Sequence, residues 1–280
     1  MHPERILNII VAGPYVGFAG AMWTDRPHLQ VLAPVLPLFY HHTDVKMRER
    51  AARYFGAAKK AIYALKHYYE HTLPSICNLP PDSRPNPAFP YQTEYVSLQD
   101  SSNQMFKYVC QLDADKLVFH ATGMSGNDIC VKFVRQYSKD AHLKCSALGF
   151  APTLQGFESL PGGWYMVVMD FVDDAYELLE DSYFKPSFST EVREKLTSLH
   201  QAGYVHGDIR ATNIMVKKNG EQGIMLLDFD WAGEIGEIRY PMNVNITEIR
   251  RPNGAIDKQL VLAEHDMAMI AYMFNDSVHQ

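Results

Sequence analysis

His206-Gly207-Asp208-Ile209-Arg210-Ala211-Thr212-Asn213, with Asp228-Phe229-Asp230 beginning fifteen residues beyond Asn213, hold the side-chain types that phosphoryl transfer uses. An aspartate to accept a hydroxyl proton, a nearby amide and a further carboxylate are the parts that hold magnesium and steer a γ-phosphate, in a reaction where catalysis is mostly positioning and charge stabilisation. Hard oxygen ligands suit magnesium, which keeps several waters and takes few protein ligands beside substrate phosphates.

The flanking sequence supplies elements that would place these groups. Upstream, Ser189 is a candidate N-cap, Glu191 falls in the first turn, and Val192, Leu196 and Leu199 recur at i, i+4 and i+7 on one helical face. Gly203 stops that helix. Downstream, Ile214-Met215-Val216 and Ile224-Met225-Leu226-Leu227 are short apolar runs joined through Asn219-Gly220, which predicts a hairpin. A hairpin brings its ends together, so Asn213 at the start of one strand and Asp228 at the end of the other arrive side by side.

HGDIRATN followed by LLDFDWAG resembles the catalytic loop and metal-binding segment of the protein-kinase-like superfamily. The resemblance implies Asp208 as catalytic base, Arg210 steadying the transferred phosphate, Asn213 and Asp228 as magnesium ligands, and ATP as phosphate donor. It also implies an ATP-gripping lobe upstream, where Ile129-Cys130-Val131-Lys132-Phe133 is similar to the strand carrying the phosphate-pairing lysine. The helix after it is expected over Ser138 to Leu148, capped by Ser138 and ended by Gly149, with Asp140 as the acid pairing Lys132 where a glutamate is usual. Tyr165 to Val172 reads as an apolar strand entering a hinge, and adenine would bond to backbone between Asp170 and Val172. Asp266 resembles the aspartate that braces the catalytic loop, although a helix N-terminus also favours aspartate through its dipole.

Three departures from the family pattern bear on mechanism. Between expected strands Met105–Leu112 and Lys116–Ala121 the turn is Asp113-Ala114-Asp115, where a glycine-rich loop normally covers the phosphates. Two carboxylates there repel ATP, and missing glycines deny it close backbone amides. Gly207 stands where many protein kinases place an arginine that receives an activation-loop phosphate. Asp230 replaces the glycine of the metal-binding triplet, a pattern closer to small-molecule kinases and other atypical members.

Composition sets the outer limits. A chain of 280 residues, 47% hydrophobic and 21% charged, buries a sizeable core, and a net charge of −6 argues against a globally basic nucleic-acid binder. The cysteines Cys77, Cys110, Cys130 and Cys145 lack zinc-finger or disulfide-scaffold spacing, so reduced thiols in the cytoplasm or nucleus are expected. From Ile6 to Trp23 no residue is charged, and Ala19-Gly20-Ala21 would permit signal-peptide cleavage. Asn8, Gly13, Pro14, Gly17 and Gly20 interrupt that run and favour a buried strand, turn and short helix over secretion or membrane insertion.

The expected organisation is α+β: a two-lobed protein-kinase-like fold with a small antiparallel-sheet N-lobe, an abbreviated helical C-lobe and an N-terminal helical extension. The divisions are 1–73 for the extension, 74–100 for a proline-rich linker, 101–172 for the N-lobe and 173–280 for the C-lobe. Only fifty residues follow Asp230, which fits a minimal fold or a piece of a longer chain. In the extension, Met47, Ala51, Phe55, Ala58, Ile62, Leu65 and Tyr69 form one apolar stripe on a long helix. The basic residues between Arg48 and Lys66 make either a docking face for an acidic partner, anionic lipid or nucleic acid, or a solvated face whose stripe packs on the kinase-like lobe; the solvated face is favoured, with no membrane or nucleic-acid partner expected. Arg250-Arg251 lies in an expected loop over the site, where it contacts a phosphate or an acidic substrate or is ordinary surface.

Taken as a whole, GPYVGFAGAMWTDRP near the start together with HGDIRATNI and DFDWAG is similar to uncharacterised kinase-like proteins of mushroom-forming fungi. Three functions fit the sequence, in this order: ATP- and magnesium-dependent transfer to a Ser or Thr hydroxyl of a protein, a small-molecule kinase resembling aminoglycoside and choline kinases, and a pseudokinase binding module.

Overall fold

The computed structural model describes residues 5–23, 27–39, 41–78, 86, 89–114, 116–160, 163–183 and 185–275. The chain divides into two compact units, Met1–Tyr91 and Gln92–Gln280. Most of the proline-rich stretch 74–90, and Asp115 of the acidic turn, lie outside the described residues.

In the first unit, β1 (Arg5–Ala12), β2 (Tyr15–Trp23) and β3 (Pro27–Pro37) form an antiparallel meander in the order β1-β2-β3. Gly13, with φ +57°, and Pro14 make the turn between β1 and β2. The uncharged run to Trp23 is therefore strand, turn and strand rather than strand, turn and short helix. Val16 and Phe18 alternate inward along β2, a period that a helix cannot satisfy. The run is also only partly buried, since Ile6, Ile9, Ile10 and Val11 are exposed. The helix α1 (Val45–His67) begins at Asp44, whose carboxylate accepts from Met47 N at 3.0 Å. It continues through a π-helical turn at Tyr68–Thr72 into the short α2 (Leu73–Cys77). Ala51 and Ala58 of its stripe pack with Val16, Phe18 and Leu36 in the unit's own core, while Phe55, Ile62 and Tyr69 remain exposed. No described helix is long and apolar enough to cross a membrane.

The second unit is α+β and two-lobed. Its sheet lobe contains β4 (Glu94–Val96), β5 (Asn103–Gln111), β6 (Val118–Gly123), β7 (Asp128–Val134), the helix α3 (Lys139–Ala147), β8 (Leu154–Leu160) and β9 (Trp164–Asp170). The strands pair antiparallel in the order β4-β5-β6-β7-β9-β8. The sheet curls until its edges meet, where Ser97 bridges Gly156 and Leu98 N donates to Gln155 O at 2.8 Å. Ile129 and Val131 on β7 are fully buried, with β6 and β9 on either side.

The helical lobe follows with β10 (Tyr176–Leu178), α4 (Ser189–Gln201), β11 (Tyr204–Val205), β12 (Ile214–Lys217), β13 (Ile224–Leu226), β14 (Gly233–Glu234) and α5 (Ala263–Asn275). A 3-10 turn at Lys185–Phe188 leads into α4, so Phe188 takes the cap position and Ser189 is the first helical residue rather than the cap. Val192, Leu196 and Leu199 are buried with Phe150, Ile209, Ile214 and Phe229. Each such leucine contributes roughly 1.5–3 kcal/mol by leaving water. Glu191 accepts from Gly223 N at 3.1 Å and ties the helix to the β12–β13 hairpin. The antiparallel sheet lobe followed by a short helical lobe is the two-lobed α+β organisation expected from the sequence.

A buried histidine joins the lobes. His142 on α3 lies stacked on Phe229 with centroids 4.6 Å apart and ring planes 6° apart. Its Nε2 donates to Pro152 O at 2.8 Å and its Nδ1 accepts from the Tyr137 hydroxyl at 2.7 Å, an arrangement that needs the neutral ring. Burial pushes its pKa down to about 4. An unfolded histidine titrates near 6.5, so the unfolded chain binds more protons between those values. The stability from the neutral ring is complete above about pH 6.5 and is lost as pH falls towards 4, by up to about 3 kcal/mol. Urea unfolding between pH 7.5 and 4.5 is expected to show a shallower pH slope in His142→Gln than in the parent; equal slopes would mean that His142 is not held neutral.

Candidate active site

The loop His206–Asn213 is fixed from below by one buried carboxylate. Asp266, 1% exposed near the start of α5, accepts from His206 N and Gly207 N, each at 2.8 Å, and from His200 Nε2 at 3.0 Å. The helices α4 and α5 and the loop between β11 and β12 thus share a single acceptor. His206 is itself locked, with Nε2 donating to Leu227 O at 2.9 Å and Nδ1 accepting from Asp208 N at 3.3 Å. Gly207 has φ +81°, and a Cβ there would lie 2.9 Å from Trp231 O and 3.1 Å from Val261 Cγ1. An arginine at this position is excluded by backbone conformation and by space.

This frame presents Asp208, 6% exposed, with its carboxylate almost fully engaged. Oδ2 accepts from Arg210 Nη2 at 2.8 Å, Arg210 Nε at 3.1 Å and Asn213 Nδ2 at 3.0 Å. Oδ1 accepts from Arg251 Nη2 at 2.8 Å, which leaves its second lone pair as the one position where a hydroxyl could approach. Arg251 is buried against Trp231, its guanidinium 4.7 Å from the ring centroid, and its Nε donates to Asn245 O at 3.1 Å. Of the two paired arginines, Arg251 therefore reaches the site, while Arg250 lies over Tyr272.

Lys132 crosses from the sheet lobe. Its Nζ lies 2.6 Å from Asp228 Oδ1 and 2.6 Å from Asp230 Oδ1. Burial pulls the ammonium pKa down, but the two carboxylates outweigh it and the net direction is up. One ammonium cannot hold two buried carboxylates ionised equally. Burial and the charge of Asp228 push Asp230 up to about 7 against the pull of Lys132, whereas Lys132 overcomes burial at Asp228 and holds it well below the usual range. Asp228 has φ +65°, a left-handed conformation that aspartate tolerates better than most residues. The hairpin does place Asn213 beside this segment, with Leu227 N donating to Asn213 O at 2.8 Å.

The chemistry of this donor set fits a magnesium ion. Asn213 is 2% exposed, and its Nδ2 is used by Asp208 O and Oδ2, while its Oδ1 accepts from no described residue. A buried carbonyl oxygen without a donor costs about 1–3 kcal/mol, and a cation would relieve it. Asp228 and Asp230 add hard carboxylate oxygens next to it in the fold.

Asp140 is not brought to this centre. It is exposed in the first turn of α3 and makes no ion pair with a described residue. Ser138 Oγ accepts from Ala141 N and sets the helix phase so that Ala141, His142 and Cys145 face inward. Asp228 and Asp230 take its expected role at Lys132. Asp170 is held at the end of β9 by Gln155 Nε2 on its Oδ1 at 2.6 Å and by Thr153 O on its N–H at 2.9 Å. The Val172 N–H and C=O bond to no described residue, which leaves one backbone edge open where the chain passes between lobes. Asp230 and Lys116, whose Nζ lies 3.8 Å from Asp228 Oδ2, were not among the expected site residues, and Arg251, expected against a phosphate or an acidic substrate, meets Asp208 instead. For Asp230 a signal existed in its two-residue spacing from Asp228. Nothing local marks Arg251 as a partner of Asp208, 43 residues away.

No protein-family model matches the chain. A stretch of 100 residues, 36% of the chain, is 32% identical to Citron Rho-interacting kinase of Mus musculus and covers 4% of that protein's length. Among solved structures, the Cydia pomonella granulovirus kinase PK-1 is similar with a TM-score of 0.40 and 17% identity, over 47% of this chain and 53% of that one. Vaccinia related kinase 3 is similar with a TM-score of 0.46 and 17% identity, over 66% of this chain and 67% of that one.

The loop's dependence on Gly207 is measurable against Gly126, which has φ +85° but open space around its α-carbon. Gly126→Ala is expected to cost about 1–2 kcal/mol from conformation alone. Gly207→Ala is expected to cost about 3 kcal/mol or more, because the methyl group meets backbone as well. Equal losses in urea unfolding would show that the loop relaxes around the added group.

Proposed function

We propose that the chain is an ATP- and magnesium-dependent phosphotransferase acting on an alcohol, with a Ser or Thr hydroxyl of a protein as acceptor. The observation that carries this reading is the convergence of Lys132, Asp228 and the Asn213–Asp208 pair from two lobes onto one centre. The short stretch shared with a protein named as a kinase agrees with it.

In this reading Asp208 Oδ1 takes the acceptor proton through its remaining lone pair, while Arg210 and Asn213 hold Oδ2 still. Lys132 exchanges its carboxylate partners for phosphate oxygens. The Val172 backbone edge takes the base, and the Asp170 side chain, already tied to Gln155, keeps that edge in place. Asn213 and Asp228, joined by Asp230, hold magnesium. When bound, the ion would neutralise charge on the transferring phosphate. Arg251 stabilises the same oxygen of Asp208 that meets the acceptor, so it stands within reach of whatever carries the hydroxyl.

A small-molecule acceptor is the second reading, and the placement of Arg251 favours it. The segment that carries this arginine is folded back on itself, with Asn243 N and Val244 N donating to Asp257 at 2.9 and 2.8 Å. Its Arg251 occupies Asp208 Oδ1 at 2.8 Å, beside the position an acceptor hydroxyl would take.

Thermal unfolding with ATP and magnesium tests the shared part of both readings. Binding at a hundredfold excess over the dissociation constant stabilises the native state by about 2.7 kcal/mol. The shift is expected in the parent and absent in Asp228→Ala; a parent that shows no magnesium-dependent shift at millimolar ATP sinks both readings. Asp208→Ala is expected to lower phosphate transfer to a peptide or small-alcohol panel by about a hundred- to ten-thousandfold while leaving the thermal shift intact. Nucleotide binding with no transfer to any acceptor would point instead to a binding module.

A further inference from the structure

The connection between β5 and β6, which the resemblance places over nucleotide phosphates, contains no glycine between Leu112 and Leu117. Its backbone is also spent internally. Leu112 N donates to Val118 O at 2.9 Å and Lys116 N donates to Asp113 O at 3.3 Å, so neither amide is available to a phosphate. The position of Lys116 is held from both sides. Its carbonyl accepts from Gln111 Nε2 at 2.9 Å, and the next carbonyl, that of Leu117, accepts from Phe133 N on β7 at 2.9 Å.

From this pinned backbone the Lys116 side chain reaches towards the centre already described. Its Nζ lies 3.8 Å from Asp228 Oδ2, while Lys132 Nζ lies 2.6 Å from Oδ1 of the same carboxylate. The Lys116 side chain is 52% exposed and its contact is long, so the pair is a weak one that the ammonium leaves at little cost. Lys132, 9% exposed and 2.6 Å from each of two carboxylates, is held more tightly than Lys116. The local charge leaves room for a polyanion: the carboxylates of Asp208, Asp228 and Asp230 are met by four cations, Lys116, Lys132, Arg210 and Arg251.

We propose that Lys116 is a phosphate clamp for a nucleoside triphosphate, supplying by side-chain charge what a glycine-rich turn supplies by backbone amides. This rests on the nucleotide-binding reading above. A flexible ammonium on an exposed turn grips by charge rather than by shape, so the affinity it adds is salt-dependent and grows with the number of phosphates. The acidic character of the turn is then no bar to nucleotide, because the cation that follows Asp113-Ala114-Asp115 is the group directed at Asp228.

The test is equilibrium titration of the full chain with ATP, ADP and adenosine, each with magnesium, in the parent, Lys116→Ala, Lys116→Arg and Lys107→Ala. Lys107 is exposed on β5 and its removal makes the same change in net charge. Lys116→Ala is expected to weaken ATP about ten- to a hundredfold, the scale of a hydrogen bond to a charged group, and ADP less. Adenosine is expected to bind Lys116→Ala as it binds the parent, and Lys116→Arg to retain most of the ATP affinity. Unchanged ATP affinity in Lys116→Ala, an equal loss in Lys107→Ala or a parallel loss for adenosine overturns the clamp and leaves the nucleotide site standing. A parent that binds none of the three ligands overturns both.

Discussion

The carboxylate of Asp266 is the interaction on which the rest of the second unit depends. It is buried and offers its oxygens to two consecutive backbone amides and an imidazole, which come from the loop after β11 and from α4. A buried carboxylate is tolerable only when its acceptor capacity is filled in this way. Once it is filled, the backbone at His206 and Gly207 has a single permitted path, and Asp208 must project towards the cleft. Gly207 belongs to the same constraint, since the approach of Trp231 and Val261 that closes the loop leaves no volume for a side chain. Glycine at position 207 is thus a packing requirement of this loop.

The second joint lies between lobes and is electrostatic. Lys132 spans to Asp228 and Asp230, while α3 contributes no acid and instead stacks His142 on Phe229. Two different attachments therefore link α3 and β7 to the same three residues, Asp228-Phe229-Asp230: a neutral ring on a ring, and an ammonium between carboxylates. The first is strong only where water is excluded and the histidine stays neutral. The second leaves an excess of negative charge that Asp230 relieves by holding a proton to about pH 7. A divalent cation would relieve it as well, and the Oδ1 of Asn213, which accepts from no described residue, lies just before β12.

Much of this was legible because it is local. The apolar face of α4, the Asn-Gly turn joining β12 to β13 and the Ser138 cap of α3 are short-range signals, and each element lies within a residue or two of its expected place. What the sequence concealed was long-range or depended on phase. Asp140 and His142 are two residues apart, and only the position of the cap decides which of them points inward. The partnership of Arg251 with Asp208 spans 43 residues and rests on a stack against Trp231 that no periodicity announces. In the first unit, the uncharged run was expected as strand, turn and short helix, but Val16 and Phe18 of its second half alternate as a strand requires and bury against Ala51 and Ala58.

The acidic turn between β5 and β6 is followed by a cation, and the two act from different places. Asp113 and Asp115 precede Lys116, and read in line they make a repulsive patch where a polyanion should bind. In the folded chain a residue's effect depends on where its charged atom lies relative to the centre, since Coulomb energy falls with distance and screening removes most of what is exposed and far. The Lys116 ammonium is 3.8 Å from Asp228, and Lys132, Arg210 and Arg251 each touch a carboxylate of the same cleft. An overall acidic protein thus concentrates four cations around three carboxylates. That local balance, rather than the net charge of the chain, is the quantity that decides whether phosphate is attracted or repelled.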